Sequence, residues 1–168
     1  MKRFTVAILV NNQFGVLNRV TSMFRRRQFN ISALTVSETE SAKYSRITVI
    51  SESDDIGKQQ LINQLYKLPD VCSIVELYPS ETVSRELLLI KVANHPETRS
   101  DVKAAIDAFE GKIVDYTREA TMVQMVGDSS KIDAFINLLR DYDILEICRT
   151  GAASLERGDT TIRRVTNL

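Results

Sequence analysis

Apolar positions in this chain follow two alternating periods, and the first change of period comes close to the amino terminus. Residues 4–10 form an almost continuous apolar run, which predicts a buried strand. A polar loop with Gly15 at its end interrupts the run, and an apolar helix face follows: Val16, Leu17, Val20, Met23 and Phe24. The chain is therefore predicted to begin with a strand, a loop hinged at Gly15 and an amphipathic helix.

Two more strands, a second helix and a fourth strand complete the first half. Residues 31–36 and 44–50 are rich in Val, Ile, Thr and Tyr, and the polar stretch between them predicts a hairpin. Helical spacing resumes after Asp54 and stops at Pro69, which predicts the second helix. Residues 71–77 then form the last strand of this half.

The second half repeats the same order of elements. One helix is predicted to end at Gly111 in a C-cap position, and another is predicted to be capped by Ser130. The predicted strands lie at residues 87–90, 113–116, 122–126 and 144–148. Each half is a split βαβ unit with the order βαββαβ, so the predicted fold is α+β with two ferredoxin-like domains.

A polar joint at residues 79–84 separates the two halves. We predict a first domain over residues 1–78, a second over residues 85–150 and a tail over residues 151–168. A chain of 168 residues can hold two small domains and bury a core without disulfides or metals. The tail has no hydrophobic periodicity, and we expect it to be extended or mobile.

Composition narrows the possible partners. Twenty-two basic residues balance twenty-two acidic ones, which gives no general attraction to nucleic acid or to an anionic membrane. No apolar run approaches the roughly 20 residues of a membrane span. The two cysteines, Cys72 and Cys148, lie in apolar runs and are expected to be buried, reduced thiols. We expect a soluble, cytoplasmic protein.

The sequence offers no constellation of residues for catalysis or metal binding. His95 is the only histidine, and it precedes Pro96 in a predicted turn. A phosphate-binding glycine loop, a dinucleotide fingerprint and a nucleophile elbow are all missing. The one dense basic run, residues 25–27, closes the first helix, where cations stabilise the helix dipole; contact with a charged partner is the alternative. We therefore predict no catalytic residues and no metal site.

The loop at Gly15 is the one candidate binding site that the residues themselves indicate. A helix that begins there leaves backbone N–H groups free at the positive end of its dipole, which suits a carboxylate or a phosphate. Gly15 would let such a ligand approach the backbone closely. An ordinary turn is the alternative, and turn chemistry alone can explain Asn12 and Asn30. Two asparagines that point at this same loop would favour a ligand site, and both interpretations stay open.

The first half resembles the ACT domain, a small amino-acid-sensing module, in the run Asn12-x-x-Gly15-x-Leu17-x-Arg19-Val20 followed by Phe29-Asn30-Ile31. Over nearly its whole length the chain resembles the small, regulatory subunits of acetohydroxyacid synthase, also called acetolactate synthase. The segments that carry this wider resemblance are residues 85–92, 109–115, 149–151 and 157–158. Phe14 departs from the smaller or polar residues also common at its position, which bears on effector preference.

The resemblance implies a regulatory subunit without catalytic residues or bound cofactors of its own. It implies a large catalytic partner that carries thiamine diphosphate, Mg²⁺ and FAD and condenses two pyruvates, or pyruvate with 2-oxobutyrate. That reaction is the first common step towards valine, leucine and isoleucine. Small subunits of this family raise the activity of the large subunit and confer feedback inhibition, usually by valine. Their ACT halves pair side by side in a homodimer, with the effector sites at the interface.

The resemblance also implies six effector-binding residues: Asn12, Gly15, Val16, Leu17, Asn30 and Ile31. Backbone amides near the glycine would hold the carboxylate of L-valine, the asparagines its polar groups, and the isoleucine its side chain. The apolar wall of a binding pocket changes the binding free energy by only about 1–3 kcal/mol per methylene, so the preference among valine, leucine and isoleucine stays open. A DNA-binding ACT regulator would need a basic face, and a metal-responsive one would need clustered His or Cys.

Overall fold

The computed structural model describes residues 1–163, and the chain folds into two compact units. One unit comprises Met1–Val83 together with the chain from Gly151 onward, and the other comprises Ser84–Thr150. Along the sequence, the second unit is thus inserted into the first. None of the helices in the described part of the chain is long and apolar enough to cross a membrane.

The first unit has the predicted order of elements. Its helices are α1 (Val16–Arg26) and α2 (Asp55–Leu65), and its strands are β1 (Lys2–Asn11), β2 (Ile31–Glu38), β3 (Tyr44–Ser53) and β4 (Val71–Glu76). The strands form an antiparallel sheet in the order β2-β3-β1-β4, so β2 lies at an edge.

Both helices of this unit pack on one face of the sheet. Positions one turn apart on α1, Val16, Val20 and Phe24, are all buried because they share the face that meets the strands. They join a core built from α2 and alternate residues of β1 and β3. Burial of a large apolar side chain stabilises the fold by about 1.5–3 kcal/mol, so the sheet and this helix face stabilise each other.

The second unit repeats the arrangement. Its helices are α3 (Arg99–Ala108) and α4 (Ser129–Leu139), and its strands are β5 (Thr82–Ala93), β6 (Lys112–Tyr116), β7 (Ala120–Gly127) and β8 (Ile144–Arg149), in the sheet order β6-β7-β5-β8. The predicted α+β fold with two ferredoxin-like units is confirmed. Inside the predicted joint, Pro79–Glu81 forms a 3-10 turn and β5 already begins at Thr82.

Two helix boundaries differ from the prediction. At the end of α3 the left-handed residue is Glu110, with φ of 59°, and not Gly111. Gly111 is needed for space, because a Cβ there would lie 3.1 Å from side-chain carbons of Ile106 and of Val123. The N-cap of α4 is Asp128, whose carboxylate accepts from the backbone N–H of Lys131 at 2.9 Å, and not Ser130.

The chain after Gly151 packs on the first unit and includes a short strand, β9 (Ala153–Glu156). The guanidinium of Arg46 in β3 donates to the backbone carbonyl of Ser154 at 2.8 Å. Further along, Ile162 is buried in a small cluster with Ala7 and Leu9 of β1. The tail therefore covers the face of the sheet opposite α1 and α2, and part of it is extended, as strand β9.

The expectation that both cysteines are buried holds only in part. Cys72 is half-buried, whereas Cys148 is exposed. Cys148 pairs with Leu89 of β5, on the sheet face away from the buried residues Leu88 and Ile90. Because successive strand residues alternate between faces, an apolar run in an outer strand does not imply burial of every member.

Candidate functional site

The loop between β1 and α1 leads directly into the helix at Gly15, as the sequence predicted. Gly15 lies at the N-cap of α1 with φ of 81° and ψ of −2°, a left-handed conformation that favours glycine. No side chain caps the helix, and its first turn holds no acidic residue. The amides of Leu17 and Asn18 have no acceptor among the described residues, whereas the amide of Val16 donates to the carbonyl of Gln13 at 3.3 Å. Unpaired N–H groups and an uncompensated helix dipole thus meet at this turn.

An ion pair lies beside the glycine. Both Nε and Nη2 of Arg19 lie 2.7 Å from Oδ2 of Asp70. Asp70 is only 9% exposed, and its backbone carbonyl accepts from the amide of Asn11 at 2.8 Å, at the end of β1. Arg19 belongs to the motif that resembles the ACT domain, but neither Arg19 nor Asp70 was predicted from the sequence as a site residue. The spacing of four from Gly15 to Arg19, which is one helical turn, was the available signal.

Asn12 lies at the same end of the sheet and faces the β2–β3 hairpin. Its backbone amide donates to the carbonyl of Lys43 at 2.8 Å. Its side-chain nitrogen donates to Oε1 of Glu38 at 3.0 Å and to the carbonyl of Ala42 at 3.1 Å. Both amide hydrogens are therefore used inside the unit, and the side-chain oxygen remains as a possible acceptor for a ligand.

Asn30 lies at the other end of the sheet. Asn11 pairs with Tyr44 at the start of β3, whereas Ile31 pairs with Ser51 near its end. Seven strand residues separate these two levels, which is about 23 Å. Asn30 is exposed, and its backbone carbonyl accepts from the hydroxyl of Ser51 at 2.6 Å. Within one chain Asn30 therefore does not point at the Gly15 loop, because the whole length of β2 separates them.

The contacts of the remaining candidate residues favour a structural role over ligand binding. Ile31 is half-buried against the core of the first unit. His95 sits in a turn, with Nε2 2.9 Å from Oδ2 of Asp143. Burial raises the pKa of the Cys72 thiol, with a smaller contribution from Asp70, so this cysteine is a poor nucleophile. Among the described residues no group of three His, Cys, Asp or Glu side chains could hold a metal ion.

The second unit contains a buried carboxylate that its sequence did not predict. Glu86 of β5 accepts hydrogen bonds from Arg149 of β8 and from the hydroxyl of Ser129 in α4. Arg149 also reaches Oδ1 of Asp133 at 2.6 Å. Glu86 is 3% exposed and alternates with the buried residues Leu88 and Ile90. The network therefore stabilises the unit by joining two strands to a helix.

Two family models match the chain, one on each half. Residues 6–73 match the AHAS small subunit-like ACT domain. Residues 85–158 match the family described as small subunit of acetolactate synthase. Together the two matches leave only short stretches of the chain uncovered.

Individual relatives match almost end to end. The probable acetolactate synthase small subunit of Archaeoglobus fulgidus is 43% identical over 94% of this chain and 98% of its own length. The acetolactate synthase small subunit of Bacillus subtilis is 42% identical over 94% of this chain and 92% of its own. Among solved structures, the acetolactate synthase small subunit of Thermotoga maritima superposes with a TM-score of 0.85 at 36% identity, covering 95% of this chain and all of that one.

Proposed function

The chain belongs to the family of acetolactate synthase small subunits, and from this premise we propose how it regulates its catalytic subunit. It activates that subunit and makes the enzyme sensitive to feedback inhibition by L-valine, in the cytoplasmic synthesis of branched-chain amino acids. The observation that carries the proposal is the left-handed turn at Gly15, which leaves backbone amides without acceptors at the start of α1. A carboxylate is the natural partner of such a turn.

The chemistry of this turn favours recognition over catalysis. Free amides, a guanidinium already paired with Asp70 and the side-chain oxygen of Asn12 can hold a zwitterion, but they supply no poised proton donor and acceptor. In our proposal thiamine diphosphate, Mg²⁺ and FAD all belong to the catalytic subunit. The small subunit contributes no residue to the reaction and carries no cofactor itself.

We place the effector at the interface of a homodimer that pairs through β2. This strand is one of the two edges of the first sheet, and its last residues include the exposed Val36 and Glu38. An antiparallel pairing about a two-fold axis sets the start of one β2 beside the end of the other. Asn30 of one protomer then approaches Glu38 of its partner, and Glu38 holds Asn12.

This pairing supports a two-chain site with divided roles. The amides of the Gly15 loop of one protomer bind the effector carboxylate, and Asn12 lies beside them. Asn30 and Ile31 of the other protomer provide an oxygen acceptor for the ammonium and an apolar contact for the branched side chain. The distance of about 23 Å between the two ends of the sheet supports a site shared between chains over a site within one.

Reconstitution tests the proposal. The catalytic subunit is assayed for acetolactate formation alone, with this chain, and with this chain plus L-valine. We expect no activity from this chain alone, a higher rate from the pair, and a lower rate when valine is added. An unchanged rate and no valine response on addition of the folded chain would refute the proposal.

A further inference from the structure

The guanidinium of Arg19 offers a charged group that the backbone amides of the Gly15 loop do not. Asp70 occupies two of its three nitrogens. The third, Nη1, has no acceptor among the described residues and lies 3.3 Å from the point that a Cβ on Gly15 would occupy. Apart from the chain neighbours of Gly15, it is the only described heavy atom within 4 Å of that point. The open space over the glycine is thus bounded by a donor that still lacks an acceptor.

Helix stability does not explain this arrangement. Arg19 lies at the beginning of α1, where a cation interacts unfavourably with the positive end of the dipole. An acidic residue would be favoured there, and the first turn of α1 has none. Asp70, at 9% exposure, offsets the charge of Arg19 and fixes one edge of the guanidinium. A planar guanidinium held on one edge presents its remaining N–H groups in a set direction, as ligand recognition requires.

We infer that Arg19 binds the carboxylate of the amino-acid effector through Nη1 and that Asp70 is the residue that positions it. The inference rests on the proposed function and deepens it, because it adds a side-chain cation to a site otherwise made of backbone amides. Gly15 is then required twice: for its left-handed conformation and for the space between the backbone and Arg19.

The test compares two ways of breaking the same ion pair in the full-length chain, reconstituted with its catalytic subunit and titrated with L-valine. Arg19→Gln removes the pair and the proposed ligand, whereas Asp70→Asn removes the pair and leaves the guanidinium. Arg25→Gln, in the last turn of the same helix, is the matched control for loss of a cation. Urea unfolding of each variant measures the structural part of the effect.

For Arg19→Gln we expect the half-inhibiting valine concentration to rise about 10- to 100-fold, as for loss of a charged hydrogen bond. Asp70→Asn should raise it less, although both variants lose similar stability, and Arg25→Gln should not change it. Equal rises for the two pair-breaking variants would overturn the inference and leave a purely structural ion pair. An unchanged response in Arg19→Gln would overturn it as well, while continued valine inhibition of the wild type would leave the proposed function standing. A wild-type complex that ignores valine would overturn both.

Discussion

Substitution of Gly15 by aspartate should abolish feedback while leaving activation of the catalytic subunit intact. The new carboxylate would start from a Cβ 3.3 Å from Nη1 of Arg19, in the space where we place the effector carboxylate. Two like charges about 4 Å apart repel by roughly 4 kcal/mol at an effective dielectric of 20. Such a penalty corresponds to about a thousandfold weaker binding of valine.

The same substitution also strains the turn. Gly15 has φ of 81°, and a left-handed conformation costs an L-residue about 1–2 kcal/mol, somewhat less for aspartate than for most residues. Gly158→Asp is the matched control, because Gly158 also has positive φ, 74°, and a Cβ there would meet nothing within 4 Å. Both variants should therefore lose similar stability, and only the one at Gly15 should lose valine inhibition.

The assay is a valine titration of the reconstituted complex, with urea unfolding of each variant measured in parallel. Gly15→Asp should still raise the basal rate of the catalytic subunit but should resist valine up to about a thousandfold higher concentration. Unchanged half-inhibition in a folded Gly15→Asp protein would mean that the effector binds elsewhere. Equal resistance in Gly158→Asp would mean that strain, and not the carboxylate, is the cause.

Two further predictions concern stability. Deletion of residues 151–168 removes the buried Ile162 and uncovers Ala7 and Leu9. We expect the free energy of unfolding to fall by about 2 kcal/mol or more from loss of Ile162 alone, and an unchanged urea midpoint would contradict the packing described for the tail. Arg149→Ala leaves the buried carboxylate of Glu86 without its cation and should cost about 3–5 kcal/mol in the same assay. Lys91→Ala, which breaks an exposed pair with Glu146, should cost less than about 1 kcal/mol, and equal losses would contradict the role given to the buried network.

The elements of the fold follow from the sequence because their periods are clear. On α1 the apolar residues recur one turn apart, and in both halves the paired β-rich runs are separated by polar turns, so local pattern and final packing agree. The tail could not be predicted in the same way. The tail packs through isolated residues, such as Ile162 against β1, and isolated apolar residues produce no periodic pattern in a sequence.

Only the part of the candidate site that one continuous segment forms could be predicted from the sequence. The turn at Gly15 could be predicted because a polar loop, a glycine and an amphipathic helix follow one another along the chain. Asp70 is fifty-one positions from Arg19, and a pair formed across the sheet end carries no local signal. The distance between Asn12 and Asn30 could not be predicted, because it depends on the register of the strands, which the sequence does not specify.

A mixed dimer tests most directly the central claim that two protomers share each effector site. One protomer carries Gly15→Asp and the other carries Asn30→Ala, and differently tagged chains are co-purified so that only mixed dimers remain. If each site combines the Gly15 loop of one chain with Asn30 of the other, both changes fall in one site and the second site is wild type. Calorimetry should then find half of the sites binding valine with wild-type affinity. No wild-type site in the mixed dimer, when the wild-type homodimer binds valine normally, would contradict the account.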